Sequence, residues 1–371
     1  MTSNSHSSVT VELGERSYSI HIGAGLLDGL GASVRSCCPG ARQVAVVTDS
    51  NVGPLYADRA LTSLAAEGFA ATWMTIPAGE SSKSLAIASE LYDALAEGRH
   101  ARDEPIIALG GGVVGDVAGF VAATWLRGVP LIQCPTTTEA CFDASVGGKT
   151  AVNHAAGKNL IGAFHQPALV CIDTACLATL SDRDYRAGLA ESVKHAIIAD
   201  EAFLTWHEQH AAAICSRDDA ALVQLVRRNC EIKTAVVAAD EREASANGVG
   251  RAALNFGHTI GHALEAESAY GLRHGEAVAL GMTAALELAV RLMRFPAALR
   301  DRVEALITAL GLPTRLDRPL DLGVTLARLA SDKKSAGGRV RFVLPCAIGS
   351  IEWAEPSEAD VRAGLARLMV R

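Results

Sequence analysis

The chain has 371 residues, of which 49% are apolar and 20% charged, and a net charge of −7. This describes a folded protein long enough for two cores and excludes a disordered one. The negative balance, with no long basic run or aromatic–basic stripe, argues against nucleic acid as the main partner, although a local cluster of Lys and Arg can still receive a small anion.

The opening residues Met1-Thr-Ser-Asn-Ser-His-Ser-Ser are polar and lack a basic region leading into an apolar core, so they do not read as a secretory signal. Apolar strand segments follow at Gln43–Thr48, Ala71–Ile76, Pro105–Leu109, Leu131–Cys134 and Leu169–Ile172, with helical patterns such as Leu85–Glu97 between several of them. This alternation predicts a mostly parallel sheet covered by helices on both faces. Such sheets bind ligands at the carboxyl ends of their strands. Polar and glycine residues gather there: Asp49-Ser-Asn51, Gly79-Glu80-Ser-Ser-Lys83, Gly110–Gly112 and Thr136–Thr138. Ser181-Asp-Arg-Asp184 resembles a capping box and opens a helical run through Ala199. Helical periodicity then dominates to about Leu329, and Gly338–Leu344 with Ile348–Trp353 reads as a short β pair around Pro345. A boundary near residues 176–181 predicts an α/β domain over 1–178 and a mainly α-helical domain over 179–371.

The apolar runs Val113–Leu126 and Ala277–Val290 are broken by Asp116 and Glu287, so no segment reads as membrane-spanning. Nine cysteines without a Cys-x-x-Cys motif suit reduced thiols in a cytoplasmic protein better than a disulfide framework.

The densest chemistry lies in Arg251-Ala-Ala-Leu-Asn255-Phe-Gly-His258-Thr-Ile-Gly-His262-Ala-Leu-Glu265 and His274-Gly-Glu276. On a helix His258, His262 and Glu265 share one face, and His274 closes over it from the next element. Imidazoles gathered in this way hold a divalent metal, most commonly zinc. Gly110-Gly-Gly-Val-Val-Gly115-Asp116 is a strand, a glycine turn and a helix start, where backbone N–H groups can approach a phosphate. Taken alone it is equally a tight strand–helix turn, and Asp116 stands where a nucleoside-triphosphate loop needs Lys. Asp143-Ala-Ser-Val-Gly-Gly-Lys149 and Gly157-Lys158-Asn159 place an acid, two lysines and an amide beside glycines, which suits an anionic ligand. Glu191 and Lys194 share a helical face, ordinarily that of a surface ion pair.

Read together, Gly110-Gly-Gly-Val-Val-Gly-Asp116, Pro135-Thr-Thr137, Asp143-x-Ser-Val-Gly-Gly-Lys149-Thr, Gly157-Lys-Asn-Leu-Ile-Gly-Ala-Phe164, Gly188-Leu-Ala-Glu191-x-x-Lys194, Asn255-Phe-Gly-His258-Thr-x-Gly-His262 and His274-Gly-Glu-Ala-Val278 resemble, in this order and over nearly the whole chain, the 3-dehydroquinate synthases. The resemblance implies a Rossmann-like NAD domain followed by an α-helical domain. It also implies a homodimer, NAD and a divalent metal (Zn or Co) as cofactors, and an anionic sugar-phosphate substrate. By the same resemblance Glu191, His258 and His274 are metal ligands and His262 faces the substrate. Asp49, Asn51, Glu80, Lys83, Gly111, Gly112, Asp116, Thr136, Thr137 and Lys158 line the NAD site. Arg127, Asp143, Lys149, Asn159, Lys194, Lys233, Arg251, Asn255 and Lys334 (or Lys333 beside it) surround the substrate, with Arg127 reaching the neighbouring subunit.

The chain departs from the family at Thr138-Glu139, where leucines are usual, and at His165 and His195, where tyrosines are common. The segment before Arg251 is about four residues longer. The implied reaction converts 3-deoxy-D-arabino-heptulosonate 7-phosphate to 3-dehydroquinate and phosphate, in the shikimate route to aromatic amino acids. The alternatives are another sugar phosphate cyclase making a valiolone-type or aminocyclitol precursor, a metal-dependent alcohol dehydrogenase, or a non-catalytic homologue. Arg251, Asn255, His262 and Asp332-Lys333-Lys334, the polar groups that the resemblance expects to hold a carboxylate and a phosphate, favour the carboxylated substrate.

Overall fold

A computed structural model describes residues 6–243, 248–268, 271–317, 321–333 and 340–369, with the backbone alone at 330–333. The chain forms two compact units: Met1–Leu180 with Leu222–Ala238, and Ser181–Ala221 with Ala239–Arg371.

The first unit is built on strands β1 (Ser7–Val11), β2 (Tyr18–Gly23), β3 (Gln43–Asp49), β4 (Ala70–Ile76), β5 (Ile106–Gly110), β6 (Leu131–Pro135) and β9 (Leu169–Asp173), in the order β1-β2-β9-β6-β5-β3-β4. Every pairing is parallel except β1 with β2. Successive side chains of a strand point to opposite faces, and both faces here are covered. Val44, Val46, Ile107, Leu109, Ile132 and Cys134 pack with helices α1 (Leu30–Cys37) and α2 (Gly53–Ala66). Their neighbours Ala45, Val47, Ile106, Ala108 and Leu131 pack with α3 (Leu85–Glu97) and α4 (Gly112–Thr124). Continuous apolar runs are therefore needed, and the expected strands match to within a residue. Strands β1 and β2 were not foreseen, although Val9-Thr-Val11 and Tyr18-Ser-Ile-His-Ile22 alternate with the period of a half-buried strand.

From β3 the chain crosses to β4 on one side and then to β5 on the other, so the order of the sheet reverses between β3 and β5. A ligand crevice opens at such a switch point, outside the carboxyl ends of the strands. A hairpin of β7 (Lys149–His154) and β8 (Gly157–Phe164) also belongs to this unit. No strand is expected from the sequence here, because glycines and lysines mask the alternation and five of the eight β8 residues are exposed.

The second unit holds α5 (Asp182–Ala199), α6 (Glu201–Cys215), α8 (His258–Glu267), α9 (His274–Leu292), α10 (Ala297–Ala309), α11 (Leu322–Lys333) and α12 (Glu358–Ala366). Helix α7 (Asp219–Ala239) contributes residues 222–238 to the first unit. Ser181 caps α5 by accepting from the Asp184 backbone N–H at 3.1 Å, as its sequence signature predicts. Strands β10 (Phe342–Ala347) and β11 (Ser350–Ala354) pair antiparallel. Their turn lies at Ile348-Gly349 and not at Pro345: Gly349 takes the left-handed φ of 78°, whereas Pro345 sits inside β10 opposite Ile351. Among the described residues no helix is long and apolar enough to cross a membrane.

Candidate active site

In the second unit, the turn from Gly257 (φ 80°) starts α8 at His258, and the next loop starts α9 at His274. The rings of His258, His262 and His274 lie 5.2–5.8 Å apart, centroid to centroid. A nitrogen from each falls within 4.8 Å of the others. Glu191, one turn before Lys194 on α5, joins them. Its Oε1 is 3.4 Å from His258 Nε2 and 3.5 Å from His274 Nε2.

The outer nitrogens of two of these rings are already committed. His258 Nδ1 lies 3.2 Å from the Phe256 carbonyl, and His274 Nδ1 lies 3.2 Å from Glu265 Oε2. Both acceptors require a proton on Nδ1, which leaves the lone pair on Nε2. Two Nε2 lone pairs and a carboxylate oxygen therefore converge. The buried Glu191 carboxylate turns Oε2 to Lys194 and Oε1 to the two imidazoles, and such a donor set can receive a metal cation. An N₂O set of this kind fits zinc or cobalt. His262 is close enough to be a fourth donor, so distance alone does not separate it from the other two.

Glu191 and Lys194 form an ion pair with both side chains 1% exposed. The expectation of a surface pair is thus corrected: α5 is buried all round at this level. Burial pushes the Glu191 carboxyl up, but Lys194, His258 and His274 outweigh it and hold it well below the usual carboxylate range. Arg251 is also buried, and its Nη1 donates to the Glu241 carbonyl at 2.6 Å. Asn255 is exposed, with Nδ2 3.4 Å from Glu243 Oε1.

In the first unit, the NAD-site expectations fall at the carboxyl ends of adjacent strands. Asp49 ends β3, and its Oδ1 accepts from the N–H groups of Asn51 and Val52 at 2.8 and 2.9 Å. Gly111 precedes α4, whose N-terminus has no side-chain cap. A Cβ on Gly111 would sit 3.0 Å from Thr137 Cγ2, so the turn is held tightly against the residues after β6. Thr136 is buried beside it, its N–H donating to the Gly110 carbonyl at 2.9 Å. Open backbone N–H groups at a helix start, reached without side chains in the way, fit the pyrophosphate of a dinucleotide.

Lys83 is 6% exposed and donates to Asp116 Oδ2 and Asn159 Oδ1, both at 2.6 Å. Asn153 donates to Glu80 Oε1 at 2.8 Å and accepts from the Asn159 N–H at 2.9 Å. Lys158 lies 3.8 Å from Glu80. The sequence reading named five of these six residues and missed Asn153, whose role depends on the β7–β8 hairpin bringing it to the loop after β4.

Asp143 lies in a π-helical turn, Ala140–Ala144, directly after the unusual Thr138-Glu139 pair. Lys233, 4% exposed, contacts Asp143 Oδ1 at 2.7 Å and its carbonyl at 2.5 Å. Lys149 is exposed after Gly147 and Gly148, both with positive φ. Exposed Arg127 sits in a corner where Leu126, Arg127 and Gly128 have φ of 46°, 68° and 120°. His165 Nε2 donates to the Val129 carbonyl, 2.8 Å away, and His195 is fully buried in α5. Lys334 lies outside the described residues, as do residues 244–247 of the longer segment before Arg251.

Comparison with known proteins shows the family of the chain. Residues 73–187 match the 3-dehydroquinate synthase N-terminal family model, and residues 188–335 match the C-terminal one. The 3-dehydroquinate synthase of Desulforamulus reducens is 47% identical over 361 residues, covering 97% of this chain and 99% of the relative. That of Rhodospirillum rubrum is 49% identical, covering 96% and 94%. Among solved structures, 2-epi-5-epi-valiolone synthase from Streptomyces hygroscopicus, with NAD+ and Zn2+ bound, superposes with a TM-score of 0.85 at 28% identity, covering 96% of this chain and 98% of that one. A 2-deoxy-scyllo-inosose synthase shares the fold, with a TM-score of 0.88 at 24% identity over 97% and 99% of the two chains. With both halves matched by the family models and full-length relatives near half identity, the chain belongs to the 3-dehydroquinate synthase family, enzymes of the lyase class.

Proposed function

We propose that the chain converts 3-deoxy-D-arabino-heptulosonate 7-phosphate to 3-dehydroquinate and phosphate, with Glu191, His258 and His274 holding a divalent cation and the loops after β3, β4, β5 and β6 holding NAD. The observation that carries this reading is the convergence of two Nε2 lone pairs and the Glu191 carboxylate, each imidazole fixed by an acceptor on Nδ1. A cation held there would supply Lewis acidity at a substrate oxygen, and NAD held at the strand ends would supply reversible hydride transfer with no net consumption of nicotinamide.

The chain's own residues bind and orient the substrate and move its protons. Arg251, held by the Glu241 carbonyl, receives the carboxylate. Lys149 and Asn159 receive the phosphate, and Asn159 is pinned for this by Lys83. Lys233 with Asp143, and Lys194 beside Glu191, set fixed charges against the hydroxyls. His262, exposed one turn beyond His258 on α8, holds or passes a proton, a role its exposure supports. Arg127 completes the site of a second copy in a homodimer, and Asn255 and Lys334 complete the polar lining. Residues 1–178 carry the NAD site, and residues 179–371 carry the metal ligands.

The test is to supply the heptulosonate phosphate, zinc and NAD+ at far below enzyme-turnover stoichiometry and to follow phosphate. Many phosphates per NAD+, with no net NADH absorbance, are expected. NADH accumulating in step with product would indicate a dehydrogenase, and preference for sedoheptulose 7-phosphate would indicate a cyclitol-forming relative.

A further inference from the structure

Glu265 was singled out by its spacing, yet no role in the reaction absorbs it. It lies on α8 two turns after His258, only 8% exposed, and its Oε2 is 3.2 Å from His274 Nδ1. A charged carboxylate in so enclosed a position needs a strong partner. The imidazole it faces turns its other nitrogen toward Glu191. His258 and His274 are thus braced differently. His258 rests on a neutral backbone carbonyl, and His274 rests on a carboxylate.

We propose that Glu265 is a positioning residue for the metal centre. It holds His274 in the tautomer with the proton on Nδ1, fixes the ring plane, and adds a second negative charge behind the donor set. A carboxylate behind a ligating imidazole makes Nε2 a better donor, and loss of such a partner weakens metal binding about 10- to 100-fold. His274 needs this brace because it is the first residue of α9, where the preceding loop leaves its side chain 27% exposed, against 12% for His258. The inference rests on the reading of Glu191, His258 and His274 as metal ligands.

The experiment measures zinc affinity of the full chain by competition with a chromophoric chelator, for wild type, Glu265→Gln, Glu265→Ala and His258→Ala. Thermal unfolding of the zinc-free proteins is measured beside it. Glu265→Gln keeps the volume of the side chain and guards against a variant that fails to fold. Both Glu265 variants are expected to bind zinc about 10- to 100-fold more weakly, while His258→Ala loses it. In the cobalt-loaded protein, Glu265→Gln should also alter the visible absorption bands, which report the ligand field and not packing. Wild-type zinc affinity in Glu265→Gln, with loss in His258→Ala, overturns the role of Glu265 and leaves the site standing. A change confined to the unfolding of zinc-free protein assigns Glu265 to packing and overturns the proposal equally. Wild-type affinity in His258→Ala overturns the metal site itself, and this inference with it.

Discussion

Gly275 follows His274 and faces α5 with no room for a side chain. A Cβ built there would lie 1.7 Å from the Ala187 carbonyl oxygen and 2.4 Å from its carbon. Both are backbone atoms of a buried helix, so no side chain can swing aside. Reaching even the 3.0 Å below which such contacts are essentially never seen requires the start of α9 to retreat by about 1.3 Å (3.0 minus 1.7) from α5. Glu191 is on α5 and His274 is the residue before the clash, so the same shift moves Nε2 away from Oε1. Metal sites hold ligand distances to within about 0.2 Å, several-fold less than the displacement. Gly275→Ala should therefore weaken zinc binding by at least tenfold. It should also destabilise the unit by about 1–3 kcal/mol, the usual cost of overpacking. Chelator competition and denaturant unfolding of the zinc-free chain measure the two effects. Gly29→Ala, with nothing within 4 Å of its Cβ and a φ of −107°, is the control and should change neither. If Gly275→Ala keeps wild-type zinc affinity and stability, the packing of α9 on α5 does not set the donor geometry and the argument is refuted.

Metal analysis of His258→Ala and His262→Ala should separate a ligand from a substrate-facing residue: the first loses metal, and the second keeps metal and loses turnover. Equal metal loss would make His262 a ligand, as its helical spacing alone suggests. Arg251→Ala should lower kcat/KM for the carboxylated substrate about ten- to a hundredfold, the worth of a charge-assisted contact of about 1.5–3 kcal/mol. Sedoheptulose 7-phosphate, which has no carboxylate, should lose far less, and equal losses would refute the assigned contact. His207 is fully buried, with Nδ1 2.7 Å from the Phe203 carbonyl and Nε2 2.7 Å from Ser192 Oγ. Burial lowers its pKa to about 4, the Phe203 carbonyl and Glu208 opposing and His195 and His210 adding to the shift. The unfolded chain takes up this proton near pH 6.5, so stability is present above that pH and is lost as pH falls from about 6.5 to 4. The loss is about 3 kcal/mol at 1.36 kcal/mol per unit. Denaturant unfolding across this window should show the slope in wild type and not in His207→Gln.

The amino-acid sequence by itself was enough for the five parallel strands β3, β4, β5, β6 and β9, because strands buried on both faces must be apolar throughout and cannot be mistaken for the polar turns at their ends. Val44–Val47 and Ile106–Leu109 are of this kind. It was also enough for the start of α5, because Ser181 caps locally. The family motifs, strung along the chain in a fixed order, identified the chemistry. Tertiary structure alone decided the rest. Helical spacing groups His258 with His262, yet the carboxylate that faces His258 and His274 comes from a helix more than sixty residues earlier. Glu191 and Lys194 look like a surface pair until the packing of α9 buries them. Lys233 meets Asp143 only because residues 222–238 fold back with the first unit. Asn153 reaches Glu80 only across a hairpin. Local pattern reports what a residue's neighbours in the chain require, since caps, turns and alternation act over a few bonds. Burial, ion pairing and the tautomer of His274 depend on groups brought together through space, where spacing along the chain carries no information.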